Sequence, residues 1–114
     1  GLIAVGFADH VPSYAAIKAG DAGRDTLSPD APAMVIYGYS YGTQKDDVLR
    51  LSLSGPNGVV IEKDVIMDKP QAQSFRAIGK RMSRKWSPGR YTGTVVLLRS
   101  GLVIDEKHGS VTVQ

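Results

Sequence analysis

The chain has 114 residues, enough for one domain with a single core and too few for two. Its 42% hydrophobic and 22% charged content is that of a globular protein, and 13 glycines with 6 prolines favour a turn-rich, all-β class. The absence of cysteine excludes a disulfide framework and a thiolate zinc site, and no apolar run approaches the roughly 18 to 20 residues of a membrane-spanning helix. The formal net charge of +3 hides an asymmetry: Lys69 to Ile104 holds eight basic residues and no acid, which leaves −5 on the remainder. Such a distribution suits an anionic partner or a neighbouring domain.

Taken in order, Leu2–Ala8 is an apolar run with β-branched and aromatic members, expected as a strand that Asp9-His10-Val11-Pro12 ends. Ser13 is a capping residue for one or two helical turns that Gly20 stops. Asp21 to Pro32 is polar and twice interrupted by proline, which reads as a surface crossing. Ala33–Gly42 is expected as a strand. From Val48 to Ser54, Leu49, Leu51 and Leu53 alternate with Arg50, Ser52 and Ser54, the period of a strand with one buried and one wet face. Gly55-Pro56-Asn57-Gly58 then predicts a tight turn and an antiparallel return over Val59–Met67.

Gln71–Ser83 reads two ways: Phe75, Ile78 and Met82 have partly helical spacing, yet Gly79 interrupts them and the run is short enough for a strand. Trp86 to Val103 carries the clearest strand signal. Ser87-Pro88-Gly89 supplies turn residues, Tyr91–Leu98 is rich in β-formers, and Ser100-Gly101 suits a two-residue hairpin turn into Leu102–Asp105. Ser110–Val113 closes the final strand, with a bulge expected at His108-Gly109. About seven antiparallel strands with one short helical turn near the N-terminus predict an all-β sandwich. In that fold Tyr91 is placed to act as a tyrosine corner, its hydroxyl bonding back to the preceding connection.

No motif for catalysis emerges. His10 and His108 lie outside any His-x-His or His-Glu-x-x-His pattern, no Gly-x-Ser-x-Gly elbow exists, and Gly55–Gly58 lacks the Lys-Ser/Thr of a phosphate loop. No catalytic, metal or cofactor residue is therefore assigned. Two sets are candidates for surface binding. Tyr37, Tyr39 and Tyr41 share one face of a strand with Val35, an arrangement that either stacks on sugar rings or covers a core, and packing is the commoner use. Lys80, Arg81, Arg84 and Lys85 beside Trp86 suit the carboxylates of a peptidoglycan stem or a companion domain, or form a solvated loop whose Trp86 caps the core edge. One such cluster falls short of a nucleic-acid signature.

Five stretches together carry a family resemblance: GFADHVPSYAAIKAG, SPDAPAMVIYGYSYG, DDVLRLSLSGPNGVVI, KPQAQSFRAIGKR and WSPGRYTGTVVLLRSGLVIDE. In that order they resemble the immunoglobulin- or fibronectin-like β-sandwich domain that accompanies the catalytic domain in some lysostaphin-type (LytM-like) zinc metallopeptidases of bacterial envelopes. The family's catalytic His-x-x-x-Asp and His-x-His motifs are missing from this sequence. The resemblance implies a non-catalytic module, residues 1–114 being one sandwich domain excised from a larger periplasmic or cell-envelope protein. It would position or regulate a zinc peptidase, with that catalytic domain or cell-wall material as partner. A glycan-binding module using the tyrosine face is the rival expectation.

Overall fold

A computed structural model describes residues 1–114. Eight strands and one helix follow in order: β1 (Leu2–Ala8), α1 (Tyr14–Ala19), β2 (Thr26–Leu27), β3 (Ala33–Thr43), β4 (Val48–Gly55), β5 (Gly58–Ile66), β6 (Gln71–Arg81), β7 (Gly89–Arg99) and β8 (Leu102–Val113). They form a three-stranded sheet, β1-β3-β6, and a five-stranded sheet, β2-β8-β7-β4-β5. With β1, β3 and β6 taken as A, B and E, and β4, β5, β7 and β8 as C, C′, F and G, the order is that of an immunoglobulin-like sandwich. No helix is long and apolar enough to cross a membrane.

The expected count of about seven antiparallel strands becomes eight, and one pair is parallel. The extra strand lies inside the Asp21–Pro32 crossing, where Thr26 and Leu27 run parallel to Thr112 and Val113. Burial of Leu27 in the core accounts for it. Two residues between polar neighbours leave no periodicity in the sequence.

Elsewhere pattern becomes structure directly. Leu49, Leu51 and Leu53 are fully buried, while Arg50 on the alternate face is exposed. Each such leucine contributes about 1.5–3 kcal/mol of burial free energy. They meet Met34 and Ile36 of β3 and Val95 and Leu97 of β7 in one core cluster. Pro56-Asn57 joins β4 to β5 as expected, and Ser100 (φ 52°) with Gly101 (φ 77°) gives the doubly left-handed turn that matches the twist of β7 and β8.

Gln71–Arg81 resolves as a strand, pairing along its length with β3. The last strand holds no bulge at His108-Gly109: His108 and Gly109 pair in register with Thr94 and Gly93. The irregularity falls instead between Leu97 and Leu98, opposite Asp105 and Val103, so that Ile104 is the extra residue beside the hairpin tip. Small residues at 109 and 93 fit the core here, because Phe7 packs against both.

Candidate functional site

The tyrosine row is built from β3, whose alternation sends Met34, Ile36 and Ser40 inward and Tyr37, Tyr39 and Tyr41 to the opposite face of the three-stranded sheet. That opposite face is not open. The helix α1 docks on it, held at its start by the Ser13 hydroxyl accepting from the Ala16 N–H (3.1 Å) and closed by Gly20 in the left-handed conformation. Ile17 and Ala22 join Tyr37 and Tyr39 in a small second core, which Tyr14 completes edge-on to Tyr39 with ring centroids 6.0 Å apart. Tyr39 donates from its hydroxyl to Gln73 Oε1 (3.0 Å), and burial pushes the Tyr37 phenol above its ordinary pKa. Only Tyr41 is exposed. The three-tyrosine platform is thereby corrected: helix docking removes two of its members from any ligand.

The basic run divides by strand geometry. Lys80 and Arg81 are successive residues of β6 and point to opposite faces, so Arg81 leaves the set. Lys80, Arg84 and Lys85, with Trp86, line a groove of about 490 Å³ at one end of the sandwich. The facing wall is the β4–β5 turn and the start of β5, contributing Asn57, Gly58, Val59 and Val60. No carboxylate is among the lining residues.

Five hydrogen bonds hold the groove's loop between β6 and β7, the first from the Met82 N–H to the Pro32 carbonyl (2.9 Å). The Trp86 indole donates to the Ala31 carbonyl (3.0 Å) and the Trp86 N–H to the Pro29 carbonyl (2.9 Å), while the half-buried ring packs on the core. The Tyr91 hydroxyl donates to the Ser87 carbonyl (2.8 Å), and Asn57 Nδ2 donates to Ser87 Oγ (2.8 Å) across the groove floor. Tyr91 is thus the tyrosine corner expected from its position. Its ring lies over Gly55, where a Cβ would overlap it, so only glycine lets the β4–β5 turn approach this closely. The walls are set before any ligand arrives, which lowers the ordering cost of binding.

Among the groove cations, Lys85 has one acidic neighbour, Asp30, at 3.5 Å with both side chains largely exposed. An exposed pair of that kind is worth little and leaves the ammonium open to competition. The other basic residues of the 69–104 segment scatter. Arg99 makes a bidentate pair with buried Asp47 (2.9 Å for each bond), and Arg90 stands on the outer face of the five-stranded sheet beside Thr92. Three of the eight basic residues of that segment thus meet in one groove, and the other five lie outside it.

Neither histidine joins a cluster. His10 Nδ1 lies 2.7 Å from Asp9 Oδ1 on the surface, and His108 sits between Thr94 (3.1 Å) and Glu106 (3.4 Å). No three His, Asp or Glu side chains converge. Sequence reasoning missed the neutral wall: Val59 and Val60 carry no charge or motif, and only the Pro-Asn turn preceding them marks their approach to the loop. Comparison with known proteins found no matching family model, no matching curated protein and no matching solved structure.

Proposed function

We propose that this domain is a non-catalytic interaction module that docks an acidic partner in the groove beside Trp86. One observation carries the reading: Lys80, Arg84 and Lys85 converge on a preformed cleft whose lining holds no carboxylate. All three cations are exposed, so they attract anionic groups through solvent and the attraction weakens as salt rises. The aromatic ring and Val59 add apolar contact area that free ions would not use. The setting rests on the sequence resemblance alone: the module positions or regulates a cell-envelope zinc peptidase, and the acidic partner belongs to that enzyme or to the wall it works on.

The docking is tested by titrating the domain with poly-glutamate and with purified peptidoglycan sacculi while ionic strength rises from about 0.01 to 1 M, which shortens the screening length from about 30 to 3 Å. Saturable binding to either material that weakens with salt and disappears in the triple variant Lys80→Glu/Arg84→Glu/Lys85→Glu is the expected result. Failure of both materials to bind at low salt would remove the docking function. The setting is tested separately by reading the gene on either side of this segment. A His-x-His peptidase domain in the same frame is expected, and its absence removes the envelope setting while leaving the groove untouched.

A further inference from the structure

The strand that forms the neutral wall of the groove is an edge. β5 pairs only with β4, so one row of its backbone N–H and C=O groups is unpaired along its length. Most of that edge is guarded. Glu62, Lys63 and Asp64 are consecutive and exposed, and Lys63, the ladder partner of Leu51, is a charge on the core-facing side. Pairing β5 with an antiparallel copy of itself about Lys63 would set Glu62 against Asp64, like charges directly opposed. The charged guard stops short of the groove. From Gly58 to Ile61 the strand carries no charge, Val59 is 67% exposed, and a register shift opposite Leu53 and Ser54 makes Val60 an extra residue that bends the edge locally. The uncharged part of the edge and the basic wall thus face one cleft.

We infer that the groove takes an extended acidic polypeptide, which adds as a short strand to the free edge at Gly58–Ile61 and directs alternate carboxylates to Lys80, Arg84 and Lys85. The inference rests on the docking function proposed above and names the class of its partner. Strand addition supplies main-chain hydrogen bonds as affinity and leaves alternate side chains to give specificity. A strand has two faces of period two, so glutamates on one face meet the loop cations while apolar residues on the other cover Val59. A polyanion with no peptide backbone, such as a phosphate polymer, would satisfy the cations and leave the edge unpaired. Charge alone therefore does not account for a neutral, hydrogen-bonding wall.

The test uses the intact, isotopically labelled domain and the probe acetyl-(Glu-Val)4-amide. Two further peptides carry backbone N-methyl groups, one on every glutamate nitrogen and one on every valine nitrogen, which block one or the other edge of the strand. Polyphosphate serves as the polyanion control. The expected result is slowed amide hydrogen exchange within Gly58–Ile61 on binding the plain peptide, and a loss of at least tenfold in affinity for one N-methylated peptide but not the other. Equal affinity for all three peptides, or polyphosphate binding as tightly as the peptide, would overturn strand addition while leaving an anion-binding groove. Silence of the groove resonances to every probe, with poly-glutamate and sacculi also inactive, would overturn both readings together. Because the discriminating changes are made in the peptide, no outcome depends on a variant that fails to fold.

Discussion

At the scale of single residues, two side chains hold the frame that the groove needs. The Tyr91 hydroxyl donates to the Ser87 carbonyl from a ring that is buried, and burial raises its pKa. Replacing Tyr91 with Phe keeps the ring and removes the bond, with an expected loss of about 1 kcal/mol in urea unfolding; an unchanged midpoint would contradict the corner. Asp47 is the other. Its carboxylate receives both Arg99 bonds and the Gln44 N–H (2.8 Å), and the Arg99 bonds lead in holding its pKa below the ordinary carboxylate value. A depressed folded-state pKa gives stability that is complete above the unfolded carboxylate range and lost as pH falls through the lowered value. Acidification from about pH 5 towards 2 should therefore destabilise the wild type more than Asp47→Asn. Asp64 and Asp105 are also lowered, by Arg50 and by the Leu2 N–H respectively, so the variant's acid limb should be flattened but not level. Equal slopes in the two proteins would remove Asp47 as a source. Of these two residues, the sequence marks Tyr91 by its place after Pro88-Gly89. Nothing marks Asp47, because its partner lies 52 positions away.

At the scale of elements, legibility follows from how many faces an element buries. β4 packs one face on the core and exposes the other, so the leucine alternation is plain in the sequence. β6 has Ile78 against the main core and Phe75 and Ala77 against the layer under α1. Apolar residues on both sides erase the alternation, and with Gly79 that explains why helix and strand compete over Gln71–Ser83. β3 is buried on both faces for the same reason, and the fate of its tyrosines depends on a helix whose docking no local pattern reveals. That docking is testable. Ser13→Ala removes the N-cap bond and should cost about 1 kcal/mol, while Ile17→Ala should cost about 2 kcal/mol or more by opening the small core over Tyr37 and Tyr39. If Ile17→Ala unfolds at the same urea concentration as wild type, α1 does not seal that face. The edge strand β5 makes a separate prediction: replacing Glu62, Lys63 and Asp64 together with threonine should produce concentration-dependent dimers in sedimentation analysis. A monomeric triple variant would show that these charges do not guard the edge.

At the scale of the whole molecule, the sandwich separates its two ends. The hairpin tip Ser100-Gly101 lies at one end, and the groove lies at the other, where the β4–β5 turn, the loop between β6 and β7 and the Pro29–Ala31 segment meet. Three connections far apart in sequence are tied there by Trp86, Ser87 and Tyr91, so a rigid corner carries the cations on a fixed surface. The basic run was visible in the sequence as a count of charges. Which of them converge was not, because convergence depends on the parity of Lys80 and Arg81 in β6 and on where the next loop crosses the sandwich. The most direct measurement of the groove as the working surface is an amide chemical-shift titration of the labelled domain with acetyl-(Glu-Val)4-amide, repeated on Lys80→Glu/Arg84→Glu/Lys85→Glu. Shifts clustered at Gly55–Ile61 and Lys80–Ser87 in the wild type, and absent from a charge-reversed protein that keeps its folded spectrum, are the predicted result. Shifts centred on any other face, or unchanged binding after charge reversal, would contradict it.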